Sequence, residues 1–192
     1  AARRLCDETG ALLIFDEIQC GSGRLGTFCA YERFGVKPDV LTMAKALGNG
    51  LPIGAMLCTE AASSGLQPGD HGSTFGGSPV PCAAALAHLR VRDETDLEGH
   101  VLARESHLFA GLRALADAYP GVYAQPRGMG LLAALPVVAP HEAGAIVAEA
   151  RARGVLFGTA GGNAVRIAPP LVVSNAQLDT ALGVLAEIAK TL

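Results

Sequence analysis

Apolar positions fall into two rhythms along the 192-residue chain. Short unbroken runs at residues 11–15, 40–42, 53–59 and 131–135 predict strands. The first ends in Asp16-Glu17, as expected of a parallel strand buried on both faces that delivers polar groups at its carboxyl edge. Residues 1–8 read as the last turns of a helix with no N-terminal cap of its own, closed by Thr9 and by Gly10, which suits a left-handed cap. Aromatics at positions 28, 31 and 34 predict a short helix over 27–34 with one apolar face, and Pro38-Asp39 ends that stretch. Residues 43–47 continue from the second strand until Gly48-Asn49-Gly50 turns the chain; residues 65–76 form a polar, Gly-rich loop, and an Ala-rich helix over 82–91 follows Pro79.

The pattern then changes. Leu97, Val101, Leu108, Leu112 and Leu115 recur at helical spacings, predicting one amphipathic helix over 97–119 that Pro120-Gly121 stops. Beyond it the expected order is strand 131–135, helix 141–153, strand 155–157, a Gly-rich turn over 158–163, strand 165–168 and a final helix over 175–191. This predicts an α/β chain in two parts divided near residues 95–105: one over 1–100 and a smaller α/β domain over 101–192. Half the residues are hydrophobic and 17% charged, which excludes disorder. The net charge of −3 gives no pull toward a phosphate backbone, and no run approaches membrane-span length, so neither nucleic acid nor membrane is an expected partner. Cys6, Cys20, Cys29, Cys58 and Cys82 are scattered and odd in number, pointing to a reduced, cytoplasmic chain without a zinc site.

Two polar residues stand at strand ends. Asp16 is either a cap or salt-bridge residue or part of a site, because an unpaired buried carboxylate is costly. Apolar-strand-plus-acid also occurs in nucleotide hydrolases, but that reading needs a G-x-x-x-x-G-K-[ST] loop, which this chain lacks. Lys45, between Ala44 and Ala46 and followed by turn residues, is on spacing alone more often an ordinary lysine than a catalytic one, although a partly desolvated amine at such a strand end could form a Schiff base. Arg166 near the end of its run is a salt-bridge residue or a carboxylate ligand, and Thr74 lies in a loop that could equally be an ordinary turn. His88, His100, His107 and His141 fall in helical segments and read as surface or packing residues.

The ordered set Asp16-Glu17-Ile18-Gln19-Cys20-Gly21-Ser22-Gly23-Arg24-Leu25-Gly26, Ala44-Lys45-Ala46-Leu47-Gly48-Asn49-Gly50-Leu51-Pro52, His71-Gly72-Ser73-Thr74-Phe75-Gly76-Gly77, Arg127-Gly128-Met129-Gly130 and Val165-Arg166-Ile167-Ala168-Pro169-Pro170 resembles the class III aminotransferases of fold type I. Within that family it is most similar to the branch acting on N2-acetylornithine. The resemblance covers nearly the whole chain, and it implies the C-terminal part of a large domain that binds pyridoxal 5'-phosphate (PLP), followed by a small α/β domain. It implies that Lys45 holds the cofactor covalently and moves the substrate proton, that Asp16 pairs with the protonated ring nitrogen, and that Gln19 lies by the ring's 3-oxygen. It further implies that Ser73 and Thr74 meet a phosphate across the interface of a homodimer with shared active sites, and that Arg166 clamps a substrate carboxylate, for which a planar guanidinium is suited. Arg24 reads as structural.

The resemblance leaves out the family's upstream half: the phosphate-cupping helix start, the aromatic ring that stacks on PLP and the groups that select the substrate's distal end. Residue 1 is therefore expected to fall inside the large domain, and a polypeptide limited to these residues is expected to bind PLP poorly and not turn over. The implied reaction passes the side-chain amine of N2-acetylornithine, or of N-succinyl-diaminopimelate, to 2-oxoglutarate. Alternatives kept open are another ω-aminotransferase of the family, acting on ornithine, succinylornithine, 4-aminobutyrate or a lysine derivative, and, more distantly, a nucleotide hydrolase or a noncatalytic dimerisation fragment.

Overall fold

The computed structural model describes all of residues 1–192, which form two compact units, Ala1–Glu98 and Gly99–Leu192.

The first unit opens with α1 (Ala2–Thr9), closed as expected by Gly10 in the left-handed region at φ 72°. Its sheet has three strands in the order β1 (Ile14–Asp16), β2 (Val40–Met43), β3 (Ala55–Cys58); β1 and β2 run parallel, β2 and β3 antiparallel. Asp39 ties helix to sheet, its carboxylate accepting from Leu13 N at 2.7 Å and from Arg3 Nη1 at 2.8 Å. The Leu13 amide first, and the Arg3 guanidinium second, hold this carboxyl below its ordinary range. A depressed carboxyl stabilises the fold above its unfolded value of about 4, and the contribution is lost as pH falls through the lower folded value. Asp39→Asn is therefore expected to lower the melting temperature at neutral pH, with the gap to wild type closing below about pH 4; a gap that stays constant from pH 7 to 3 in a calorimetric series would rule this out.

A 3₁₀ segment, Ala30–Phe34, replaces the helix expected over 27–34, because Cys29 is still extended at φ −104° and helical geometry starts only at Ala30. Phe28 and Tyr31 pack on the core of Cys29, Leu41, Met43, Leu47 and Ala85, while Phe34 stays exposed. A second 3₁₀ segment, Lys45–Gly48, follows β2; Asn49 and Gly50 then turn the chain at φ 46° and 107°. A side chain at Gly48 would place its Cβ 2.6 Å from Ile53 Cγ2, so the turn needs glycine there. The short α2 (Glu60–Ser63), capped by the Thr59 hydroxyl, was not expected. Pro79 opens α3 (Pro79–Thr95) at a position where its missing N–H costs nothing, which makes the helix longer than the 82–91 core of its pattern. It packs on Lys45–Gly48.

The expectation of a first strand buried on both faces does not hold within this unit: Leu13 is buried, but Leu12 and Ile14 are 54% and 59% exposed. Leu57, Phe75, Val80 and Leu86 are exposed as well.

The second unit contains most of α4 (Leu97–Ala118), then an antiparallel sheet of β4 (Arg127–Met129), β5 (Leu132–Pro136), β6 (Gly158–Ala160) and β7 (Ala164–Ile167) in the order β4-β5-β7-β6, with α5 (Ala143–Ala152) and α6 (Asn175–Ala189). Its core joins Val101, Leu108 and Leu112 of α4 to Leu135, Val165, Leu178, Leu185 and Tyr123. The Tyr123 hydroxyl donates to Leu185 O at 3.0 Å, and burial pushes its pKa up to about 12. α6 starts with a capping box formed by Ser174 and Gln177.

Two expectations shift here. The strand predicted at 155–157 lies at Gly158–Ala160, and the apolar triplet before it splits, with Phe157 packed on the core and Leu156 exposed. Asn163 closes the hairpin at φ 55°, its side chain accepting from Ala143 N and donating to Val137 O and His141 O. β4 was not among the expected strands, and Gly128 stands in its middle. A Cβ on Gly128 would lie 2.2 Å from Leu132 O, so the glycine serves the close approach of β5. No helix of the chain is long and apolar enough to cross a membrane.

Candidate functional site

Strand register brings the two strand-end residues to one edge. β1 and β2 are parallel neighbours with Asp16 paired to Thr42, and Lys45 follows three residues later on the same side. One strand spacing plus three residues of chain keeps the Asp16 and Lys45 Cα atoms within about 16 Å. A carboxylate, a six-membered ring and a four-carbon amine stem can bridge that span. The depression that Asp16 borders, about 270 Å³ between Phe15, Tyr31 and Phe34, does not include Lys45, so the shared feature is the strand edge rather than that hollow.

The donor chemistry fits PLP. Asp16 is exposed, and only its Oδ1 bonds within the chain, accepting from Ile18 N at 3.0 Å and Thr42 Oγ1 at 3.3 Å. Those two donors fix the carboxylate, and a protonated ring nitrogen is the kind of group that its Oδ2 would suit. The Lys45 side chain is exposed and forms no ion pair or hydrogen bond in the chain, while its backbone adopts φ 48°, rare for a residue with a Cβ. That geometry is held by Leu47 N donating to Ala44 O and by burial of Leu47. Gln19 is exposed in the turn just after Asp16. Ser73 and Thr74 lie exposed in their loop; Ser73, but not Thr74, lines a hollow of about 430 Å³ with Ile53, Gly54 and Gly76. Arg166 is half-buried on β7 of the second unit.

Two contributors were not visible in the sequence. Thr42 orients Asp16, but only register reveals it. Glu17 is 3% exposed, and its carboxylate accepts from Ala30 N at 2.5 Å and Tyr31 N at 2.8 Å. Strand alternation sends Asp16 outward and Glu17 inward, so the second acid pins both ends of the Gly-rich loop that carries Gln19. Its signal was the acidic pair itself. The thiols nearby are poor nucleophiles: burial, then the Glu17 charge, raise both, with Cys29 reaching about 11.

A profile of the class III aminotransferases matches residues 1–189. The chain is 46% identical to the acetylornithine aminotransferase of Clostridium acetobutylicum over 189 residues, 98% of this chain and 48% of that one. It is 47% identical to that of Thermosynechococcus vestitus over 94% of this chain and 44% of that one. Among solved structures, the acetylornithine aminotransferase of Elizabethkingia anophelis superposes with a TM-score of 0.90 at 30% identity, covering 100% of this chain and 48% of that one. The ornithine δ-aminotransferase of Plasmodium falciparum gives 0.91 at 30%, over 99% and 49%. The ornithine aminotransferase of Toxoplasma gondii, which holds PLP at partial occupancy in its active site, gives 0.90 at 32%, over 99% and 45%. The chain thus spans about half the length of the relatives it matches. A profile match along nearly its whole length, over strands that bring Asp16 and Lys45 to one edge, means that the chain belongs to the class III aminotransferase family.

Proposed function

We propose that the full-length protein is a PLP-dependent aminotransferase that moves the side-chain amine of N2-acetylornithine to 2-oxoglutarate, with N-succinyl-diaminopimelate as a second donor. The observation that carries this reading is the pairing of an oriented, half-engaged carboxylate with an unpartnered lysine at one strand edge. Bound PLP supplies a cationic ring that draws electrons from the substrate carbon bearing the amine. Asp16 holds the proton on the ring nitrogen, and Thr42 keeps its carboxylate aimed. Lys45 would hold the cofactor through its amine, and the same amine would move a proton to and from the substrate carbon that bears the amino group. Gln19 donates beside the ring's 3-oxygen. Arg166 takes a substrate carboxylate. Ser73 and Thr74 offer hydroxyls to the phosphate in a cytoplasmic homodimer with shared sites.

The acetylornithine names of the relatives support the donor, and the structural likeness to ornithine aminotransferases favours ornithine as the second reading. Intact mass of the full-length protein before and after borohydride is expected to rise by one reduced cofactor, with peptide mapping assigning the addition to Lys45. No addition, or addition elsewhere, overturns the enzyme reading, and initial rates with N2-acetylornithine against ornithine then decide between donors.

A further inference from the structure

Phe28 stands where two supports of the strand-edge site meet. Its backbone oxygen accepts from Gly23 N at 3.4 Å, closing the Gly-rich loop whose first turn, sealed by Gly21 N on Glu17 O at 2.9 Å, carries Gln19. Its side chain packs on the buried cluster of Cys29, Leu41, Met43, Leu47 and Ala85, and Leu47 roots the Lys45 turn in that core. A shift of Phe28 therefore reaches both Gln19 and Lys45. Glycines at 21, 23 and 26 give the loop little stiffness of its own, so what holds it must come from outside.

One such hold is a cation. The Arg92 guanidinium, in the last turn of α3, lies over the Phe28 ring with its Cζ 4.7 Å from the ring centre. The negative face of an aromatic ring attracts a planar cation, more strongly where water is partly excluded, and both side chains are half-buried. Glu98 Oε1 accepts from Arg92 Nε, and Asp93 Oδ1 accepts from Nη1 at 3.0 Å. Hydrogen bonds leave a guanidinium in its plane while the stack uses its face, so the two do not compete.

We propose that Arg92 is a positioning residue of the site, its stack on Phe28 holding the Gly-rich loop and the Lys45 turn in place for the cofactor. The proposal rests on the reading of Gln19 and Lys45 as neighbours of bound PLP.

Two readouts on the full-length protein test it. Hydrogen exchange of the amides of residues 21–26, followed by mass spectrometry, reports how firmly the loop is held and needs no cofactor. Absorbance of the bound cofactor against pH reports the surroundings of its 3-oxygen. Arg92→Met keeps the length and removes the cation; it is expected to speed loop exchange about tenfold, the scale of a partly desolvated cation–π contact. It is also expected to raise the midpoint of the absorbance titration, because an oxygen anion that loses a donor holds a proton more firmly. Phe28→Leu is expected to do the same, and Arg92→Met added to it to do nothing more. Arg92→Lys is expected to restore most of both, which carries the test if Phe28→Leu does not fold. Glu98→Gln removes the ion pair but keeps guanidinium and ring, and is expected to change exchange by less than about twofold. Loop exchange in Arg92→Met as slow as in wild type overturns the proposal, as does an equal effect from Glu98→Gln, which would mean that Arg92 serves only the helix end. A cofactor mass at Lys45 with the same absorbance titration in wild type and Arg92→Met marks failure of the positioning role. Loop exchange of the expected pattern without any cofactor mass at Lys45 marks failure of the aminotransferase reading instead.

Discussion

Lys45→Ala in the full-length protein is expected to reduce kcat by roughly 10²–10⁴-fold, the range for losing a positioned proton carrier. It should also abolish the mass gain on borohydride treatment. The structural reason is a division of labour within one residue. The backbone at Lys45 is fixed in the left-handed region by the turn beneath it and by Leu47 in the core, while the side chain projects into solvent without a partner. Removing the side chain therefore takes away the chemistry and leaves the packing, so melting behaviour should change little. Lys45→Arg keeps a cation but not a titratable amine, and it is expected to be as inactive as alanine. An arginine variant with near wild-type turnover would mean that charge alone is required, and the proposed role would fail.

Asp16→Asn is expected to lower kcat by roughly 10²–10³-fold, as for the loss of one preorganised electrostatic partner of the transition state. The amide has the same shape and retains an oxygen that can accept from Ile18 N and Thr42 Oγ1. What it lacks is the negative charge that keeps a ring nitrogen protonated. The variant should still gain the cofactor mass under borohydride yet convert slowly in single turnover. Unchanged single-turnover rates would show that ring protonation does not depend on Asp16.

Much of the fold was legible because local signals were strong: Gly10 closed α1, the Ala-rich run over 82–91 gave the middle of α3, and the leucine spacing after residue 97 gave α4 almost to the residue. Failures came where an apolar or Gly-rich pattern had two physical solutions. Val155-Leu156-Phe157 looks like a strand but leads into one, and Gly128 carries no strand pattern yet lets two strands approach closely. In the site, Asp16 and Lys45 were readable as polar residues at the ends of apolar runs, and the resemblance supplied their roles. Thr42 and Glu17 were not, because neither register nor the inward-facing partner of an acidic pair is encoded locally. Likewise, an apolar run such as residues 11–15 reports a capacity for burial on two faces but not whether both are covered, as Leu12 and Ile14 demonstrate.

The uneven distribution of uncovered apolar side chains has a practical consequence. Leu12, Ile14, Leu57, Phe75, Val80 and Leu86 crowd the first unit, whereas the second leaves few large apolar groups outside its core. Water-facing hydrocarbon promotes self-association. In the full-length protein the first unit is thus the one where further segments are expected to cover apolar groups, and a preparation limited to these residues is the one for which buffer and concentration would need care.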